Sequence, residues 1–347
     1  MPLSTSNSET ESALPLGNAR RPMSARTGFI ALLTGLALIL LALEVVSPLI
    51  LTRLSRIERR VETETQAAHT LRPFTSDGRP TVLLVGNSLL LEGVQLDALQ
   101  RNLSPQYDVS RLAIEQTHYL DWYFGLRRLL EEGVRPSVIV LTLATDQLAS
   151  RFTLGESFAH RQMSALDFPL AVRQAKLDKT TASTYWFAHW SNWLADKGFI
   201  RQDVLILLVP NFRELAARIA DHGPHVGDPA VLLEMAKQRL PELHDLAQTY
   251  GVKIVLLVPP TLRQDHSQEV QDMGDKAGVQ VWVLSPPGEF PPNLFSDGFH
   301  LNDQGSEIFT ARLANRIRTT ISNTATSSDS VNTTLAPGNN LAKGRQN

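Results

Sequence analysis

The stretch Thr81-Val82-Leu83-Leu84-Val85-Gly86-Asn87-Ser88 decides how this chain is read. Its β-branched and aliphatic run predicts a strand buried on both faces. Gly86-Asn87-Ser88 breaks the run, and apolar residues at helical spacing resume across residues 89–103 (Leu91, Val94, Leu96, Leu99, Leu103). A strand that passes through a tight turn into a helix opens a βαβ unit. Such a unit leaves the Ser88 hydroxyl at the carboxyl edge of a sheet, near the positive end of a helix. A nucleophilic serine suits that place, because nearby amides can hold a developing oxyanion. The turn also has a purely structural reading, in which Gly86 permits the bend and Asn87 or Ser88 caps the helix.

Far downstream lies Ser296-Asp297-Gly298-Phe299-His300-Leu301-Asn302. Asp297 and His300 are three apart, so one turn of backbone brings the carboxylate onto the imidazole Nδ1. That contact fixes the tautomer and leaves Nε2 free to take a proton from a serine. The plain alternative is a polar loop before a last helix, with Asn302 or Asp303 as its cap.

Gly-Asn-Ser near the start and Asp-x-x-His near the end, in that order on an α/β pattern, resemble the SGNH (GDSL-type) hydrolase and acyltransferase superfamily. The resemblance spans residues 81–317. It implies a three-layer α/β/α sandwich with a mainly parallel, flavodoxin-like sheet. It also implies Ser88 as nucleophile, His300 as general base and Asp297 as its orienting partner.

The rest of the pattern agrees with that fold class. Strand-like runs recur over residues 107–113, 137–143, 253–258 and 279–284, with helical stretches such as 119–132 and 231–250 between them. This alternation predicts a parallel sheet covered on both faces. The run 204–209, before Pro210, reads as either strand or helix.

Ahead of this domain, residues 1–27 read as a disordered tail, and residues 28–51 are almost wholly apolar. That run is long enough to cross a hydrocarbon core at 1.5 Å per residue, and longer than the apolar part of an ordinary cleaved signal peptide. The expectation is one transmembrane helix, a signal anchor, with Glu44 toward its far end. Three arginines before it (Arg20, Arg21, Arg26) and four after it (Arg53, Arg56, Arg59, Arg60) leave its orientation undecided by charge. Residues 52–80 read as a solvated stalk helix and a connector opened by Pro73 and Gly78. The catalytic-type domain is expected over 81–321, with an insertion at about 147–200, and residues 322–347 as a second disordered tail.

Composition removes several classes. A net charge of −2 argues against a nucleic-acid partner, which needs a concentrated basic face. The chain has no cysteine, so disulfides, thiolate catalysis and cysteine-bound zinc are excluded. His222 and His225 sit in a compact turn unlike a metal-binding helix pair, and no phosphate-cradling glycine motif occurs. The reading calls for no cofactor and no metal.

The resemblance loosens in the middle. The family places a glycine after its second strand and an asparagine after its third, and both help to bind the oxyanion. Here Gln116, or Glu115 beside it, stands at the first position and Thr145 at the second, so the resemblance makes Gln116 and Thr145 the candidate oxyanion donors. A glutamine offers a backbone N–H and a side-chain amide, and a threonine one hydroxyl proton. The insertion carries Tyr185, Trp186, Phe187, His189, Trp190 and Trp193. Trp186, Trp190 and Trp193 share one helical face, which is either a packing seam or a platform for a sugar ring or acyl chain.

Membrane-anchored members of the superfamily that work on bacterial envelope polysaccharides share this looseness. The resemblance therefore implies an esterase or O-acyltransferase with an acylated carbohydrate or small ester as substrate. It places the domain outside the cytoplasm, on the periplasmic side of an inner membrane. The different-class alternative is a catalytically weak SGNH-like domain that binds glycan or serves as an envelope scaffold.

Overall fold

The computed structural model describes residues 24–212 and 228–332. Five strands make one parallel sheet: β1 Thr81–Gly86, β2 Asp108–Ala113, β3 Val138–Thr142, β4 Lys253–Val258 and β5 Gln280–Val283. They lie in the order β2-β1-β3-β4-β5. The chain therefore winds one way from β1 to β2 and the other way from β1 through β3. The reversal opens a crevice at the carboxyl ends of β1 and β3, where open α/β sheets bind their ligands.

The described helices are α1 Ala25–Leu54, α2 Arg56–His69, α3 Ser88–Gly93, α4 Leu96–Leu103, α5 Tyr119–Glu131, α6 Thr145–Ala149, α7 Gly155–Arg161, α8 Phe168–Ala175, α9 Lys179–His189, α10 Asn192–Leu208, α11 Pro229–Tyr250, α12 Ser267–Ala277 and α13 Asp303–Asn332. Every residue of β1 and β3 is buried, because helices cover both sides. Leu83 and Val85 point into a core built with α5 and α11. Val82 and Leu84 point into a second core with α3, α4 and α13, around Phe309 and Trp282. Alternate residues of one strand thus fill opposite cores, which is why these strands read as continuous apolar runs rather than alternating ones.

Two expectations change, and one open reading closes. The single helix expected over 89–103 is two, because Gln95 is drawn out toward α13: its backbone N–H donates to Thr310 Oγ1 (3.0 Å) and its amide to the Asp303 carbonyl (2.9 Å). The stalk is a docked helix, not a solvated one. The Glu64 carboxylate accepts the Ala113 backbone N–H and the Arg111 guanidinium, both at 2.8 Å, and Arg60 donates to the Ala113 carbonyl at 2.7 Å. α2 therefore satisfies both backbone polar groups of Ala113 at the end of edge strand β2 and covers that part of the edge. The run 204–209 is helical through Leu208. The last helix runs to Asn332. His222 and His225 lie outside the described residues.

α1 is long and apolar enough to cross a membrane over Ala25–Arg53, and an 18-residue stretch of it has a mean hydropathy of 2.6 and no buried residue. The insertion is entirely helical from α6 to α10 and packs its last helix along α1.

Candidate active site

β1 delivers Ser88 to the crevice. Gly86 is required there by space: a Cβ would meet the Thr142 carbonyl oxygen at 2.8 Å. β1 can thus press against β3 where it turns. Asn87 caps α3 by accepting the Leu89 N–H at 3.0 Å. Its amide donates to the Thr117 carbonyl and to Gln147 Oε1, both at 2.8 Å. Gln147 Oε1 also accepts the Ala144 N–H at 3.1 Å. One buried asparagine therefore ties the ends of β1, β2 and β3 together, and Ser88 is left partly open to solvent among buried neighbours. Gln147 closes a local cap contact with Ala144, three residues before it, but its link to Asn87 joins a distant element and carried no sequence signal.

The second half of the site hangs from the loop before α13. Phe295 and Leu301 pair as an antiparallel bridge, and the Ser296 N–H donates to the His300 carbonyl at 2.9 Å. Gly298, at φ +84, sits in the left-handed region that a glycine enters freely. Asp297 Oδ1 accepts the backbone N–H groups of Phe299 (2.9 Å) and His300 (2.7 Å). Its Oδ2 lies 2.7 Å from His300 Nδ1, and His300 Nε2 lies 2.9 Å from Ser88 Oγ. Burial pushes the Asp297 carboxyl up, but the His300 ring and the two backbone donors outweigh it and hold the group below its ordinary value. The three residues singled out from the sequence thus form one hydrogen-bonded series across two distant segments.

The two expected oxyanion residues stand differently. Gln116 is exposed on the loop after β2 and takes φ +60, a left-handed conformation costly for a non-glycine residue. A glycine would enter that conformation freely. The loop is held beside the serine, because Ile114 donates to the Gly86 carbonyl at 2.9 Å and Thr117 is bound by Asn87. Thr145 departs from the expectation. It is buried, and its hydroxyl donates to the Asp265 carbonyl at 2.6 Å. A threonine has one proton to give, and here it pins the loop after β4. Among the described residues no cluster of three or more histidines, aspartates or glutamates is placed to hold a metal.

No protein-family profile matches this sequence, and no curated protein matches it. Solved structures give distant likenesses. LAE5, an alpha/beta hydrolase enzyme from the metagenome of Lake Arreo, Spain, is 10% identical over 71% of this chain and 95% of its own, with a TM-score of 0.37. A catalytic mutant of Axe2, an acetylxylan esterase from Geobacillus stearothermophilus, is 9% identical over 69% and 94%, with a TM-score of 0.36. TesA is 15% identical over 67% and 95%, with a TM-score of 0.33.

Proposed function

We propose that this chain is a serine esterase or O-acyltransferase of SGNH type, held at a membrane by α1 and acting on O-acyl groups of an envelope polysaccharide. The observation that carries the reading is the series Ser88 Oγ, His300 Nε2, His300 Nδ1, Asp297 Oδ2, with both links within hydrogen-bond reach.

The chemistry follows from that series. An ionised Asp297 accepts the Nδ1 proton, so the lone pair of Nε2 faces the serine. Ser88 Oγ attacks the ester carbonyl while its proton passes to Nε2. His300 then gives that proton to the departing alkoxide, which leaves an acyl group on Ser88. Water or a sugar hydroxyl, deprotonated by the same Nε2, attacks the acyl-enzyme and restores the serine. The backbone N–H of Ser88 and the donors of Gln116 are the groups proposed to hold the oxyanion.

Anchoring is favoured over a cleaved leader by contacts that α1 makes near its end. Glu44 accepts the Asn192 N–H at 2.6 Å, Ser47 donates to Asp196 at 3.3 Å, and Leu51 is buried. Cleavage would strip these groups from the domain. The family resemblance supplies the carbohydrate substrate class and the extracytoplasmic side. The engagement of Thr145 with Asp265 favours a second reading, a weakly active glycan-binding domain, since it removes one expected donor.

Acetate release from a panel of acetylated glycans separates the two readings. The enzyme reading expects turnover that Ser88→Ala abolishes, whereas the binding reading expects glycan affinity without turnover in either protein. A phosphatase reporter fused at the carboxyl end is expected to be active in a bacterial host; activity only from a cytoplasmic reporter would reverse the topology and remove the envelope substrate.

A further inference from the structure

The helical insertion leaves an aromatic edge that the chemistry at Ser88 does not use. Tyr185 turns into the core, but Trp186 is 41% exposed, Phe187 63% and Trp190 65%. Trp186 and Trp190 are held rather than loose. Trp186 packs edge-on against Phe168 with centroids 5.1 Å apart and against Trp190 at 6.1 Å. The end of α9 that bears them is tied to α7: His189 Nδ1 lies 2.8 Å from the Ala159 carbonyl, and His160 Nδ1 lies 3.0 Å from the His189 carbonyl. A soluble domain rarely keeps three large rings outward on a rigid edge without something to cover them.

Their position says what covers them. Trp190 is followed directly by Ser191 and Asn192, and both are bound by Glu44 of α1: Ser191 Oγ donates to one carboxylate oxygen and the Asn192 N–H to the other. Glu44 is the acidic residue of the apolar run. On the reading of α1 as a span, it marks where that helix meets the headgroup layer, since a carboxylate is costly deeper in hydrocarbon. The aromatic edge therefore lies beside the span at the depth where tryptophan is most at home, with its indole body in the acyl boundary and its N–H in the wet headgroup layer. Residues of α1 on either side of this level, Leu41, Val45 and Val46, are also apolar and exposed.

We propose that Trp186, Phe187 and Trp190 form a second contact with the lipid bilayer, an aromatic foot that seats the domain on the membrane beside α1. The partner is the headgroup–acyl boundary of the bilayer. A single helix lets a domain swivel and tilt; two contacts joined through Glu44 fix the height and orientation at which Ser88 meets its substrate. The proposal rests on α1 spanning the membrane, and its test keeps the two apart.

The test uses the full chain reconstituted into phosphatidylcholine and phosphatidylglycerol vesicles, with or without bromine near the glycerol end of the acyl chains. Of the five tryptophans, Trp122 and Trp282 are buried in the core, so quenching by brominated lipid reports mainly on the insertion. The foot predicts strong quenching and a blue-shifted emission relative to detergent, and most of the quenching lost in the W186F/W190F double variant. Phenylalanine keeps the ring contacts, and unchanged thermal melting shows that the double variant is folded. Vesicle flotation that survives alkaline carbonate, with no quenching, overturns the foot and leaves the span standing. Loss of flotation at alkaline pH overturns the span and the foot with it.

Discussion

Replacing Thr145 by valine separates two accounts of the end of β3. The residue is 3% exposed, and its hydroxyl donates to the Asp265 carbonyl at 2.6 Å. Valine keeps the volume and removes the donor, so the carbonyl is left without that partner. Stranding an acceptor on half-buried Asp265 costs up to about 1–3 kcal/mol, which lowers the melting midpoint of a domain of this size by up to roughly 2–12 °C. The affected loop reaches the site, because Asp265 also holds the Ser267 N–H (3.0 Å) and the Thr261 hydroxyl (3.1 Å), and Leu262 on the same loop lies 3.9 Å from the place of a Gly298 Cβ. The one proton of the hydroxyl is given to the Asp265 carbonyl, so kcat for ester hydrolysis should change by less than about threefold. An oxyanion donor behaves in the opposite way: its loss costs about a hundred- to a thousand-fold in kcat and little stability. Circular-dichroism melting and steady-state hydrolysis on one preparation read both quantities. A large fall in kcat with an unchanged melting midpoint would refute the assignment of this hydroxyl to Asp265.

Asp297→Asn keeps an oxygen for the two backbone donors but turns an N–H₂ toward Nδ1, which forces the proton onto Nε2; kcat should fall by up to about ten-thousand-fold in steady-state hydrolysis while the fold is retained. Asn87→Ala leaves the Thr117 carbonyl without this donor, takes one of two donors from Gln147 Oε1 and removes the cap of α3, so denaturant titration should show a loss of about 1–3 kcal/mol. Burial pushes the Asp121 carboxyl up to about 7, against the pull of the His118 and Leu154 backbone N–H groups. The folded chain then keeps a proton that the unfolded chain has already lost. This contribution to stability is full below the ordinary carboxylate value and disappears as pH rises through about 7. Urea midpoints compared at about pH 5 and about pH 8 should show that slope in the wild type and a shallower one in Asp121→Asn.

The strands were legible because helices bury both of their faces, which leaves unbroken apolar runs such as residues 253–258. Asp297 and His300 were legible because a spacing of three is enough, within one loop, to set carboxylate on imidazole. What escaped the sequence is set by partners far along the chain. The break in the helix at Gln95 is dictated by Thr310 on α13, and the orientation of Thr145 by Asp265. The docking of α2 depends on Glu64 meeting Arg111 and the free backbone of β2, and mixed charges on one helix look the same whether water or an edge strand receives them. Tyr185 and Trp186 are adjacent letters of one aromatic cluster, yet the first is buried and the second exposed; only the packing of α7 on α9 decides between them.

The central claim is that His300 activates Ser88, and site-resolved labelling with a fluorophosphonate tests it without knowledge of the substrate. The reagent phosphonylates a serine whose proton a neighbouring base removes. Full-length protein treated in this way and mapped by peptide mass spectrometry should carry its adduct on Ser88, with Ser88→Ala unlabelled and His300→Ala labelled far more slowly. An adduct on another residue, or Ser88→Ala labelling at the wild-type rate, would contradict the account.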